Sequence, residues 1–85
     1  MRLAYTPTFL RMLKTLDTNL HLEVFEKVEL FKDSKKRRLL KVHKLQERLA
    51  GRYSFSVNYR TRIVFRIQKP QTAILLAVGD HAVYQ

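Results

Sequence analysis

Arginine, lysine, histidine and tyrosine are the side chains in this 85-residue chain that could take part in chemistry. The chain has no cysteine, and its three histidines stand far apart without the H-E-x-x-H spacing of a zinc site, so we predict no metal and no cofactor. A cationic set of this kind suits cleavage of a phosphodiester, because histidine exchanges protons near neutral pH and the planar arginine fork grips two phosphate oxygens. The residue types therefore favour metal-independent chemistry on a nucleic acid.

Two of the three histidines are candidates for proton transfer. His81 follows an apolar segment and a glycine, a place in a chain where sites are often built. His43 is open to two interpretations, a functional role or only packing and capping. His21 lies among the glutamates of a predicted helix, and we treat it as an ordinary surface residue.

The net charge of +10 is concentrated in the middle of the chain. Residues 1–33 carry five cations and five acids, whereas residues 34–69 carry twelve cations and one acid. A neutral scaffold joined to a cationic segment predicts a polyanionic partner, either a nucleic acid or an acidic protein. A solvated face that only aids solubility is the alternative. The cations that we assign to RNA binding are Lys35, Lys36, Arg37, Arg38, Lys41, Arg52, Arg60 and Arg66.

The first half of the sequence predicts a short strand and a helical hairpin. Residues 2–6 are typical of an opening strand, Thr6 followed by Pro7 is a helix start, and residues 17–19 begin a second helix. The predicted buried stripe of that helix is Leu20, Val24, Phe25, Val28 and Phe31. We expect one or two further helical turns after a cap at Ser34. The predicted core contacts of those turns are Leu39, Leu40, Val42 and Leu45.

Residues 53–67 alternate between apolar odd positions and mostly polar even positions, which predicts a half-buried antiparallel hairpin. Facing residues in a hairpin point to the same side of the sheet, so odd positions must pair with odd positions. This parity requires a loop of odd length, which we place near Tyr59. The predicted cross-strand pairs are Ser56 with Arg62 and Arg52 with Arg66.

Residues 72–79 are apolar on both faces, as in an interior strand. The sequence thus predicts one α+β domain over residues 1–85, in which a short N-terminal strand and a helical hairpin pack on one face of a small antiparallel sheet. The opposite face, which carries the arginines, is expected to stay open. No signal peptide is recognised and the apolar run at 73–78 is too short to cross a bilayer, so we predict a cytoplasmic protein without a membrane partner.

Three segments in this order resemble a known family: "KVHKL" at 41–45, "YRTRIVFRI" at 59–67 and "LLAVGDHAVYQ" at 75–85. They are similar to the RelE/ParE superfamily of bacterial toxins, and most similar to the RelE-like group that includes the YoeB and YafQ types. The resemblance implies a ribosome-dependent mRNA interferase, an endoribonuclease that works without metal. It also implies a cognate antitoxin that holds the toxin inactive, and we expect that partner to be acidic.

The resemblance assigns roles to five residues. Arg62 matches the strand arginine that contacts the scissile phosphate; the alternative is that it only pairs with Asp80 or with the C-terminus. His81 falls where these toxins place a histidine or arginine for proton transfer or charge stabilisation. Tyr84 matches the C-terminal aromatic residue that stacks on a base or assists the chemistry. His43 and Lys44 lie where the family supplies general bases or phosphate ligands.

The identity of the general base and the activity class stay open at this point. The carboxylate that serves as base in the YoeB type has no clear match, and Glu47 is the candidate. ParE-like members of the superfamily act on DNA gyrase and cleave nothing, so a gyrase poison is an alternative. A relative that has lost activity and acts only as a binding module is a further alternative.

Overall fold

The computed structural model describes residues 1–46, 49–80 and 83 of the chain. Its elements, in chain order, are β1 (Arg2–Tyr5), α1 (Pro7–Lys14), α2 (Thr18–Lys32), a 3₁₀-helix (Arg37–Leu40), β2 (His43–Lys44), β3 (Arg52–Ser56), β4 (Arg62–Gln68) and β5 (Thr72–Gly79). The strand order is β1-β5-β4-β3-β2, and β5 is an interior strand as predicted. The α+β architecture is confirmed, with one difference: β1 joins β5 in parallel, so the sheet is mixed.

Both helices begin where the sequence predicts, because a side chain caps each one. The Thr6 hydroxyl accepts a hydrogen bond from the Phe9 amide at 3.0 Å, and Pro7 occupies the first helical position. The Asp17 carboxylate accepts one from the Leu20 amide at 2.8 Å. Neither of these helices, nor any other helix in the described part of the chain, is long and apolar enough to cross a membrane.

The core lies between the helical hairpin and one face of the sheet. Phe31 of α2 stacks on Phe55 of β3 with ring centroids 4.9 Å apart and meets the edge of Phe65 of β4 at 4.7 Å. These aromatic contacts add to the burial of apolar surface and fix the angle at which α2 crosses the sheet. The other main core residues are Phe9, Val24, Val28, Leu40, Val57, Ile63, Ala73, Leu75 and Val78.

Two predicted core residues are exposed, so those predictions were wrong. Phe25 is 66% exposed, because α2 buries a narrow seam through Val24, Val28 and Phe31 and Phe25 lies outside it. Leu39 is 68% exposed, because the tight turn of the 3₁₀-helix directs Leu40 inward and its neighbour outward.

The predicted helical turns after Ser34 are also only partly correct. No side chain caps the 3₁₀-helix, whose N-cap is Lys36, and Asp33 rather than Ser34 accepts a hydrogen bond, from the Lys35 amide at 2.9 Å, in the turn before it. The 3₁₀-helix then ends at Lys41, whose φ of 52° is left-handed and turns the chain into β2. His43 and Lys44 are therefore strand residues, paired with Ser54 and Tyr53.

Candidate nucleic-acid interface

The β3–β4 hairpin has the predicted register. Ser56 lies opposite Arg62 and Arg52 lies opposite Arg66, and the strands are joined by a loop of odd length over residues 57–61. Their apolar neighbours Phe55 and Phe65 face the helices, so these arginines lie on the opposite side of the sheet. The alternation in the sequence therefore separates the cationic side chains from the core.

His43 joins the arginines on this side. It lies opposite Ser54, which is itself opposite Val64, so the three residues form a row across the sheet. From strand spacing and rise, the Cα atoms of His43 and Arg62 are about 12 Å apart. We call the surface formed by His43, Arg52, Arg62 and Arg66 the arginine face.

The structure separates the two adjacent candidates on β2. Successive side chains of a strand point to opposite faces, so Lys44, which lies opposite Tyr53, is on the helix side of the sheet. Both side chains are exposed. Only His43 shares a face with Arg62, and its role in proton transfer stays a prediction.

The centre of the arginine face is covered, which corrects the expectation of an open sheet. Ser54 and Val64 are each only 1% exposed. Val83 packs against this side, and a Cβ atom built on Gly79 would lie 3.1 Å from its Cγ1. A cavity of about 360 Å³ lies here between the sheet, Val83 and the first turn of α1, with Arg52 in its wall.

Arg62 is the most constrained cation of the arginine face. It is half-buried, and its Nη1 donates to the carbonyl oxygen of Asn58 at 2.7 Å and to that of Thr61 at 3.4 Å. Within the described part of the chain, its side-chain hydrogen bonds all leave from Nη1. No described residue bonds to the Nε and Nη2 edge, and that edge has the geometry that binds two oxygens of one phosphate.

Asn58 is a residue that sequence reasoning missed. Its Oδ1 accepts hydrogen bonds from the Arg60 amide at 2.9 Å and the Thr61 amide at 2.8 Å, an arrangement that asparagine often forms at the start of a loop. Its position directly after the alternating residues of a predicted strand was the signal in the sequence that could have identified it as the residue that folds the loop. Arg60, predicted to bind RNA, is exposed in the middle of this loop.

A second cationic region follows α2, and we call Lys35, Lys36, Arg37, Arg38 and Lys41 the basic turn. A shallow depression of about 440 Å³ is lined here by Ser34, Val42 and three of these cations. Four of the five side chains are exposed. The basic turn leads directly into β2, so the two cationic regions meet at that edge of the sheet.

Arg37 is the exception within the basic turn. Its Nε donates to the carbonyl oxygen of Phe31 at 2.7 Å, and its guanidinium carbon lies 5.4 Å from the centre of the Phe31 ring. This arrangement combines a hydrogen bond with a cation–π contact on a core residue. Arg37 therefore stabilises the end of α2 as well as adding charge.

Three candidates fall outside the described residues: His81, Tyr84 and Glu47. Their roles stay predictions. Gly79, two positions before His81 in the chain, lies opposite Arg62 at the end of β5.

Comparison with solved structures identifies close matches to the fold. The YoeB/ParE toxin from Agrobacterium tumefaciens aligns with a TM-score of 0.79 at 19% identity, over 95% of this chain and 99% of that one. A chain of the RelBE2 toxin–antitoxin complex from Mycobacterium tuberculosis aligns with a TM-score of 0.72 at 26% identity, over 94% and 96%. YafQ from Escherichia coli aligns with a TM-score of 0.70 at 17% identity, over 99% and 98%. Neither a protein-family model nor a curated protein sequence matches the chain.

Proposed function

Because the chain has the RelE-like fold, which confirms the resemblance seen in its sequence, we propose that it is the toxin of a type II toxin–antitoxin system. We further propose that it is a metal-independent endoribonuclease that cleaves mRNA on the ribosome. The observation that carries this proposal is Arg62, a half-buried arginine that is held by its own loop through Nη1 and whose Nε and Nη2 edge bonds to no described residue.

The proposed reaction is attack of the RNA 2′-hydroxyl on the adjacent phosphorus. The 2′-oxygen forms a bond to phosphorus, the bond to the 5′-oxygen breaks, and the products are a 2′,3′-cyclic phosphate and a 5′-hydroxyl. A base takes the proton of the 2′-hydroxyl, and an acid gives a proton to the leaving oxygen. We assign these two proton transfers to His81 and to His43, with Lys44 as the less favoured candidate because it lies on the other side of β2.

Arg62 supplies charge stabilisation in this scheme. The negative charge on the two non-bridging oxygens grows as phosphorus becomes five-coordinate, and a fixed guanidinium stabilises that state more than the ground state. Tyr84 is proposed to stack on a base beside the cleaved bond. The basic turn, together with Arg52, Arg60 and Arg66, is proposed to hold the backbones of the mRNA and the ribosomal RNA.

An antitoxin is the proposed protein partner. The matched chain from M. tuberculosis comes from a toxin–antitoxin complex, and the excess of positive charge here predicts that the partner's binding segment is acidic. A segment that covered the arginine face would exclude RNA from it. Co-expression of the adjacent reading frame should then restore growth, and its product should co-purify with this chain.

Primer extension on a reporter mRNA in a translation extract tests the nuclease. Wild-type protein should give discrete cuts within translated codons, and Arg62→Ala and His81→Gln should give none. Intact mRNA at a protein level that still arrests growth would overturn the proposal and favour a ParE-like action, to be measured by gyrase supercoiling. Cuts that persist in both variants would leave a nuclease with a different site.

A further inference from the structure

A side-chain hydrogen bond joins α2 to the loop that holds Arg62. The Asn58 Nδ2 donates to the Glu23 Oε2 of α2 at 3.1 Å, across 35 positions of the chain. The acceptor is a carboxylate, so the bond is charge-assisted and stronger than one between two neutral groups. Glu23 is otherwise an exposed residue on the outer side of α2.

Both polar atoms of the Asn58 side chain and its backbone carbonyl oxygen take part in hydrogen bonds. Its Oδ1 binds the amides of Arg60 and Thr61, its Nδ2 binds Glu23, and its own carbonyl oxygen receives Nη1 of Arg62 at 2.7 Å. Orienting the side-chain amide toward Glu23 therefore also orients the Oδ1 that folds the loop. The loop conformation in turn fixes the position of the carbonyl oxygen that holds Arg62.

The rest of the loop offers a weaker constraint on Arg62. Thr61, its other backbone partner, accepts from Nη1 at 3.4 Å, close to the limit for a hydrogen bond. An arginine side chain has several rotatable bonds, and a phosphate ligand must otherwise order all of them when it binds. By contrast, α2 is fixed in the core through Val24, which directly follows Glu23, and Val28, one turn further along the helix.

We propose that the Glu23–Asn58 hydrogen bond is a positioning device that holds Arg62 ready for the scissile phosphate by tying its loop to α2. The catalytic part of this inference rests on the proposed nuclease function, whereas the anchoring of Arg62 does not. Glu23 and Asn58 are positioning residues, since neither is placed to touch the substrate. Breaking the bond should lower the rate of cleavage about tenfold at saturating RNA, with little change in RNA affinity.

An exchange of donor and acceptor separates this role from general stability. Glu23→Gln retains an acceptor for the Asn58 amide and should keep nearly full activity, whereas Asn58→Asp removes the donor and sets two carboxylates against each other. Combining the two substitutions restores the bond with its direction reversed, because the new amide at position 23 can donate to the new carboxylate at position 58. That pair should recover most of the rate lost in Asn58→Asp. Glu26→Ala, on the same helix and paired only with Lys27 in the described structure, is the matched control.

A double-mutant cycle shows whether the bond acts through Arg62. Glu23→Ala should slow single-turnover cleavage about tenfold in the wild-type background and should have no further effect when Arg62→Ala is already present. Equal losses in both backgrounds, or a rate in Glu23→Ala equal to that of Glu26→Ala, would overturn the proposal. Thermal unfolding of each variant shows whether a loss of cleavage rate comes from misfolding.

Nuclear magnetic resonance of the guanidinium group tests the anchoring without any activity. Rotation about the Nε–Cζ bond of Arg62 should be slow in the wild type, as for a held Nη1, and should become faster in Glu23→Ala and Asn58→Asp. The reversed pair should slow it again. If wild-type protein cleaves no RNA, the nuclease proposal fails while this measurement still decides the anchoring. Rotation unchanged across all variants would show that Glu23 does not hold Arg62.

Discussion

The arginine face and the basic turn carry the same kind of charge on very different backbones. The arginine face is built on the three adjacent strands β2, β3 and β4, where pairing fixes the position and direction of each side chain. The basic turn follows the end of α2, and four of its five side chains extend into solvent. One region presents charge at defined positions, and the other presents charge at high density.

This difference predicts a division of work. A transition state needs a donor held within a narrow range of positions, because a displacement of about 1 Å costs a large part of the catalytic effect. Backbone phosphates need only nearby positive charge, since their contribution to affinity comes mostly from the release of counterions. Arg62 on the arginine face should therefore set the rate of cleavage, and the basic turn should set most of the affinity for RNA, with a smaller share from Arg52 and Arg66.

The largest expected effect comes from Arg62→Ala. Single-turnover cleavage at saturating RNA should fall by about 100-fold or more, because a fixed donor to the developing charge is lost. RNA affinity should change by only a few-fold. The matched control is Arg60→Ala, which removes an exposed arginine from the adjacent loop and should affect affinity more than rate. Equal loss of rate in both variants would abolish the distinction between held and free arginines.

The second effect concerns the basic turn. Replacing three of its four exposed cations, Lys35, Lys36 and Arg38, with alanine should weaken RNA binding about tenfold at moderate salt, and the slope of log affinity against log salt should become shallower by about 2 units. The cleavage rate at saturating RNA should stay unchanged. The control removes Arg11, Lys14 and Lys32 from the neutral half of the chain. A control that weakens binding equally would mean that net charge matters and its location does not.

A smaller effect separates Arg37 from its neighbours in the basic turn. Arg37→Ala should lower the free energy of unfolding by about 1 kcal/mol, because it loses the hydrogen bond to the Phe31 carbonyl and the contact with the Phe31 ring. Arg38→Ala, which removes the exposed side chain one residue along, should change it by less than about 0.5 kcal/mol. Urea unfolding of the two variants measures both values. Equal stabilities would place Arg37 with the other solvated cations.

The smallest effect has the opposite sign. Arg52 and Arg66 face each other across the β3–β4 ladder, and like charges directly opposite cost up to about 1 kcal/mol. Arg66→Gln should therefore raise the free energy of unfolding by about 0.5 kcal/mol while lowering RNA affinity a few-fold. Gln68→Ala, the next position on the same face of β4, serves as the control in both measurements. If Arg66→Gln is less stable than the wild type, the pair Arg52–Arg66 does not repel.

The sequence predicted the arginine face well because parity is a strong constraint. A β3–β4 loop that was one residue longer or shorter would have turned either Phe55 or Phe65 toward solvent. The pairs Ser56–Arg62 and Arg52–Arg66 therefore followed from the burial of both aromatic residues. The helix starts were predictable for a similar reason, because Thr6 and Asp17 are local capping signals.

The basic turn was harder because its conformation depends on distant contacts. The strand at His43 and Lys44 has two residues, which is too short for periodicity to reveal, and its existence depends on pairing with β3. The exposure of Phe25 depends on which seam of α2 meets the sheet. The Glu23–Asn58 bond joins residues far apart in the chain, and only the folded structure brings them together.

The parallel pairing of β1 with β5 has a consequence for the synthesis of the protein. The first strand of the chain hydrogen-bonds to the last, and β5 is also the neighbour of β4 at the centre of the sheet. A nascent chain that has not yet exposed β5 has no partner for β1, and its core lacks Ala73, Leu75 and Val78. Pairing β1 with β5 closes a long loop of the chain, and the entropic cost of that closure must be met before the contacts between the two strands can form. The sheet can therefore be completed only after β5 has been synthesised and has left the ribosome.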